Sequence, residues 1–282
     1  MLYLLFILKK LVDSMGRRTR NLLFLILFFT WIFWIPAGFI SKANHSSLIV
    51  FLHYAGGVVP LIATLSVLYF HQTVKERKDY LLRLLDLKRI GSKWILIIVL
   101  LIPILALVSS WIDTLLGGEG LDLSPLQSLA SAPLSLFPFA FFILIFGPIP
   151  EEMTWRGLIL DRMEKEINPF RSNLILGIYW LIWHLPLFFI DGSYQASLGV
   201  GTPQFFLFIL DKVPYTFLLA WIFHHTKRST LAAILFHFIM NFMGELLDLR
   251  VRAESILIIL LYLFSLFIIF FEKDEWFSER TL

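Results

Sequence analysis

The chain has 282 residues, of which 58% are hydrophobic and only 16% charged, where an ordinary soluble domain carries about 25% charge. That much apolar surface excludes a water-soluble fold and makes the lipid bilayer the expected solvent. The formal net charge of +3 is spread over short basic blocks between apolar runs, without the concentrated basic face of a nucleic-acid partner, and the absence of cysteine excludes a disulfide framework and a thiolate zinc site.

In chain order, residues 1–12 are apolar but too short to span, and their lysines follow the apolar run, so residues 1–21 read as an interfacial segment rather than a cleaved leader. Met15 offers a second possible start. Eight runs reach the length of about 20 residues that a helix needs to cross the hydrocarbon core: 22–41, 47–70, 93–112, 130–150, 172–190, 204–223, 229–247 and 255–271. The fourth is interrupted by Gly147, Pro148 and Pro150. The expected fold is therefore all-α, a polytopic membrane bundle of about eight transmembrane helices. Its divisions are an N-terminal helical part over 22–125, a core over 126–250, and a last helix with a tail over 251–282.

Of the 24 Lys and Arg, 20 fall in the N-terminal segment, the loops after the second, fourth and sixth spans, and the tail. Lys42, Arg250 and Arg252 lie on the other side, and Lys212 lies inside a span. By the positive-inside rule, both termini are expected in the cytoplasm of a multi-pass protein of the plasma (cell inner) membrane.

A charge at mid-bilayer costs about 2.5–3.5 kcal/mol on insertion scales, so intramembrane polar residues usually face a protein interior or a wet cavity. Three clusters stand out. In GPIPEEMTWRG, Pro150 is expected to restart a helix, which puts Glu151 and Glu152 in its first turn, where the helix dipole favours negative charge. Glu152 and Arg156 are spaced for an i, i+4 pair, and Glu151 points about 100° away. One carboxylate is thus tied and the other free, which suits a structural acid beside a base. A capping cluster at a helix end is the structural alternative. The second cluster is His184 in YWLIWHLP, with Trp180 one turn earlier. A neutral histidine donating to a bundle carbonyl is the structural alternative. The third is His237 and Asn241, on one helical face by their spacing, where they either glue helices together or line a cavity. Asp211 and Lys212 interrupt the sixth span and are expected to pair within the bundle. His53 reads as a packed histidine, and His224 and His225 as interfacial.

Taken together, Glu151-Glu152-xxx-Arg156, Trp180-xxx-His184 and His237-xxx-Asn241, in that order, resemble the CPBP (Abi) family of intramembrane proteases, which includes the type II CAAX prenyl endopeptidases. The resemblance covers roughly residues 130–245 and departs from the family pattern at Trp180, where phenylalanine is usual. It implies an intramembrane endopeptidase acting on a membrane-anchored peptide or protein, prenylated or otherwise lipid-anchored, near the cytoplasmic leaflet. It also implies roles: Glu151 as general base assisted by His184, His237 and Asn241 as oxyanion donors, and Glu152 with Arg156 holding the helix start. Members are often named metalloproteases. Glu151, His184 and His237 could hold a divalent metal such as zinc, and the same spacing suits a metal-free glutamate–histidine site.

Other intramembrane proteases fit poorly. The sequence has no HExxH and no GxSx, and Gly199-Val200-Gly201-Thr202 lacks the acid of a GxGD motif. Two readings outside proteolysis compete. One is a non-catalytic scaffold, as in bacteriocin immunity. The other is a proton-coupled transporter relaying through Glu151, His184 and Asp211, although only one half of the chain carries an evident helix break, whereas such transporters often show breaks in both.

Overall fold

The computed structural model describes residues 14–41 and 47–278. Residues 1–13 of the expected interfacial segment 1–21, with Lys9 and Lys10, lie outside them, as do Lys42 and Arg280, whereas residues 17–21 of that segment begin the first long helix. Two long helices open the bundle, α1 (Arg17–Ser41) and α2 (Ser47–His71). A short surface helix, α3 (Val74–Leu85), precedes α4 (Ser92–Leu115). Strand β1 (Leu121–Asp122) and helix α5 (Ser124–Ser131) lead to α6 (Leu136–Phe146). The polar centre starts on α7 (Pro148–Thr154), which runs through a π-helical turn (Trp155–Leu160) into one last turn (Asp161–Met163). Then come α8 (Pro169–His184), continued by a 3-10 segment (Leu185–Phe189), and the short α9 (Tyr194–Leu198). The chain ends with α10 (Pro203–His225), α11 (Thr230–Leu246), β2 (Asp248–Leu249), α12 (Val251–Phe271) and α13 (Lys273–Phe277).

Among the described residues, seven helical segments are long and apolar enough to cross a membrane. The protein is a multi-pass membrane bundle. The eighth expected span, 229–247, is the shorter apolar helix α11 of 17 residues, about 26 Å at 1.5 Å per residue. Ser229 starts it by accepting from the Ala232 amide. It stops at Leu246 because Asp248 and Leu249 pair antiparallel with Asp122 and Leu121, a two-stranded clasp that hydropathy does not reveal.

Lipid-facing helices leave large apolar side chains uncovered, such as Phe24, Phe51, Leu96 and Phe270. α7 and the turn after it are covered on all sides, with Trp155, Arg156, Leu158, Ile159 and Leu160 at 1% exposure or less. A tryptophan layer joins them to α1 and α8. The Trp34 and Trp183 rings lie 4.6 Å apart and those of Trp155 and Trp183 5.7 Å. Each polar end finds a partner, as buried indoles require: Trp183 donates to Thr30 Oγ1 at 3.0 Å and Trp34 to the His53 carbonyl at 2.7 Å. His53 stacks on Tyr54, in keeping with its reading as a packed residue.

α3 is amphipathic and sits against the outside of the π turn. Thr73 and Glu76 close a capping box at its start. Tyr80, 1% exposed, donates to the Met153 carbonyl at 2.8 Å, and burial pushes its phenol pKa up. Gly157 makes this contact possible, since a Cβ there would lie 3.0 Å from the Tyr80 ring.

The α1–α2 crossing gives a stability test. A Cβ on Gly56 would collide with the Trp34 indole. Gly56→Val is expected to cost about 1–3 kcal/mol by overpacking, read as a lower thermal midpoint of the detergent-solubilised protein. An unchanged midpoint would mean that the crossing is loosely packed.

Candidate active site

The break between α6 and α7 builds the site. Gly147 takes φ −120° and ψ −89° and ends α6. α7 then begins at Pro148, two residues before the expected restart at Pro150, because Pro148 can occupy a first helical position without a donor. Glu151 therefore closes the first turn and Glu152 opens the second. Neither carboxylate caps the helix, so the capping-cluster alternative does not describe them.

Glu151 is not free, as expected from sequence, but is gripped by two indoles. Trp180 Nε1 donates to its Oε2 at 2.6 Å and Trp155 Nε1 donates to the same oxygen at 3.4 Å. Trp155 stands four residues after Glu151, a same-face spacing that could have flagged it. Both bonds fall on Oε2, which leaves Oε1 to bond a further group. Glu152 is fully buried and accepts from Arg156 Nη1 and from His237 Nδ1, each at 2.9 Å on Oε1. The expected Glu152–Arg156 pair is present, and it continues across to α11. Arg156 also lies 5.4 Å from the Trp180 ring centre, a cation–π distance.

His184 places Nδ1 2.8 Å from the carbonyl of Trp180, one turn back on its own helix. That acceptor assigns the proton to Nδ1 and leaves a lone pair on Nε2. The His237 ring meets Trp180 edge-on at 5.3 Å. Asn241 is half-buried one turn further along α11. Its amide nitrogen sits 3.4 Å from where a Cβ on Gly147 would stand. The amide thus lies against the break at which α7 begins. All six sequence candidates therefore gather around Trp180 and the start of α7.

A metal does not fit this arrangement. Among the described residues, no three His, Cys, Asp or Glu side chains are placed to hold a metal ion. The trio Glu151, His184 and His237 does not converge as a ligand set.

The fold and this centre define a class: a multi-pass membrane protein with carboxylates and imidazoles enclosed in its bundle. Residues 133–243 match the family model of Rce1-like type II CAAX prenyl endopeptidases. CAAX prenyl protease 2 of Methanococcus maripaludis is 28% identical over 253 residues, covering 89% of this chain and 92% of that protein. Over that segment the chain is similar to the Rce1-like type II CAAX prenyl endopeptidases, a family of membrane proteases.

The buried pair can be tested by itself. Removing one member of a buried ion pair costs about 3–5 kcal/mol, because the other charge is stranded. Arg156→Met is expected to lower stability by that order in micelles. The double variant Glu152→Gln, Arg156→Met should lose less than the sum of its single changes. Additive losses would show that the two residues are energetically independent.

Proposed function

We propose that the chain is an intramembrane endopeptidase that hydrolyses a peptide bond close to the C-terminus of a prenylated or otherwise lipid-anchored substrate, at the cytoplasmic leaflet. The observation that carries this reading is the Glu151 carboxylate, held on one oxygen by Trp180 and Trp155, with the His184 and His237 rings both packed on that same Trp180 indole inside the bundle. Glu151 takes a proton from a water whose oxygen attacks the scissile carbonyl carbon. His184 Nε2 accepts the second hydrogen of that water and so orients it. The negative charge that develops on the carbonyl oxygen is met by the Asn241 amide and by His237. With Nδ1 held by Glu152, it is the Nε2 side of His237 that meets the oxyanion. The tetrahedral intermediate collapses as the C–N bond breaks, and Glu151 returns the proton to the leaving amine. Glu152 and Arg156 are positioning residues: they fix α7 and His237 and do not touch the reacting atoms.

Supporting a lipid anchor, an open apolar recess of about 480 Å³ on the bundle surface is lined by Phe137, Pro138, Ala140, Phe141, Leu144 and Phe238. Phe238 follows His237 directly. The relative's name, a CAAX prenyl protease, agrees with that substrate class. The catalytic unit is taken as residues 126–250, which enclose the matched segment 133–243.

The proposed orientation has both termini in the cytoplasm, with α11 as the eighth crossing. Side-chain contacts sort the loops into two ends in support. Arg89 Nη1 donates to the Lys227 carbonyl at 2.6 Å, and Glu166 accepts from the Gly16 amide and the Thr19 hydroxyl, each at 2.8 Å. At the other end Arg252 pairs with Asp113, and Arg250 with Asp122. The chain has no cysteine, so single cysteines at Lys88 and Lys165 should label only from the cytoplasmic side of sealed vesicles, and one at Glu119 only from the opposite side.

Glu151→Gln keeps the shape and removes the base. It is expected to lower cleavage of a farnesylated peptide by about 10²–10⁴-fold, read by mass spectrometry of the products, with the protein still folded. Asn241→Ala should lose about 10²–10³-fold. Unchanged cleavage by Glu151→Gln would remove Glu151 from the chemistry. Cleavage should also survive a chelator, and a loss restored by zinc would return the metal reading.

A further inference from the structure

Lys212 is a buried cation that the mechanism above does not use. It lies mid-way along α10, inside a membrane span, and is 6% exposed. Its ammonium donates to Asp211 Oδ1 at 2.6 Å. Otherwise it rests on aromatic faces, 3.5 Å from the centre of the Phe208 ring and 5.5 Å from that of Trp180. Phe208 in turn packs on His184, with ring centres 5.5 Å apart.

The Asp211–Lys212 pair differs from the long-range ion pairs of the fold. Arg83–Asp161 and Arg252–Asp113 each tie together segments far apart in sequence. Asp211 and Lys212 are neighbours on one helix, so their pairing tethers α10 to nothing. A charge kept inside a membrane span without a structural tether is by default functional.

We infer that Lys212 is the receptor for the free C-terminal carboxylate of the substrate, and so a specificity determinant of this enzyme. The inference rests on the endopeptidase reading above. In a C-a-a-X terminus three residues follow the lipidated cysteine, and an extended chain spans about 3.3–3.6 Å per residue. The terminal carboxylate therefore lies about 10 Å from a bond cut next to the cysteine. The contacts through Trp180 set the ammonium no more than about 10 Å from Glu151 Oε2, a match to that reach. Asp211 neutralises the ammonium until the substrate carboxylate replaces it, and its own carboxylate is 18% exposed, on the wetter side of the pair. An ammonium with aromatic rings on two sides would receive a carboxylate in a water-poor setting, where such a charge-assisted bond is strong.

The test compares two farnesylated peptides of identical sequence, one ending in a free carboxylate and one in a carboxamide. The readout is the ratio of their kcat/KM values. The wild type is expected to favour the acid by about tenfold or more, mainly through KM. Lys212→Met should bring the ratio to about one, whereas Lys212→Arg should keep a preference for the acid. Asp211→Asn combined with Lys212→Gln removes both charges, strands neither, and should also give a ratio near one. The released tripeptide acid should inhibit the wild type, and its amide should not. Equal cleavage of both peptides by the wild type overturns the carboxylate site alone. A Lys212→Met loss that falls equally on both peptides overturns it too, in favour of a structural or electrostatic role. If the wild type cleaves neither peptide, the endopeptidase reading falls and the carboxylate site with it.

Discussion

Arg156 has no exposed surface in a chain whose solvent is lipid, and its neighbourhood is organised by the need to keep that charge company. Hydrocarbon offers no hydrogen bonds, so every polar group at this depth must find partners within the protein. Glu152 meets one guanidinium nitrogen and one imidazole nitrogen on a single oxygen, and this three-residue contact draws α7 and α11 together. The Trp180 face covers the arginine from a third helix, α8. Sequence positions 85 residues apart are thereby held to hydrogen-bonding distance.

Trp180 serves both carboxylates at once. Its ring lies against the cation paired with Glu152, while its N–H holds Glu151. A phenylalanine, usual at this position in the pattern the chain resembles, could do only the first of these. The indole thus gives this chain a fixed orientation of the Glu151 carboxylate that a hydrocarbon ring would leave to water or substrate. The same helix supplies His184, whose ring is aimed by the Trp180 carbonyl.

The membrane class and seven of the spans were legible because an unbroken run of about 20 apolar residues matches the thickness of the hydrocarbon core and rarely occurs in a water-soluble fold. The intramembrane polar residues were legible for the opposite reason: Glu151, Glu152, His184 and His237 are costly where they are. What the sequence did not disclose is who touches whom. Nothing in the spacing says that His237 bonds Glu152 rather than facing the cavity with both nitrogens, or that Glu151 is bound by Trp180, 29 positions away. Those contacts follow from helix crossings, which one-dimensional periodicity does not encode. The clasp that ends α11 was hidden for a related reason. Leu247 is apolar enough to continue a span, but the pairing of Asp248 and Leu249 with β1 ends the helix.

The π turn at Trp155–Leu160 acts as a phase shifter. Such a turn accommodates one residue more than an α-helix would, and one residue is worth about 100° of rotation. Above it, the helix aims Glu151 and Glu152 into the bundle. Below it, the same helix aims Asp161 at Arg83, Glu164 at His224 and, just past its end, Glu166 at Gly16 and Thr19. A strictly regular helix could satisfy only one of these two settings. The turn therefore lets the polar centre and the loop anchors be tuned separately along a single continuous helix.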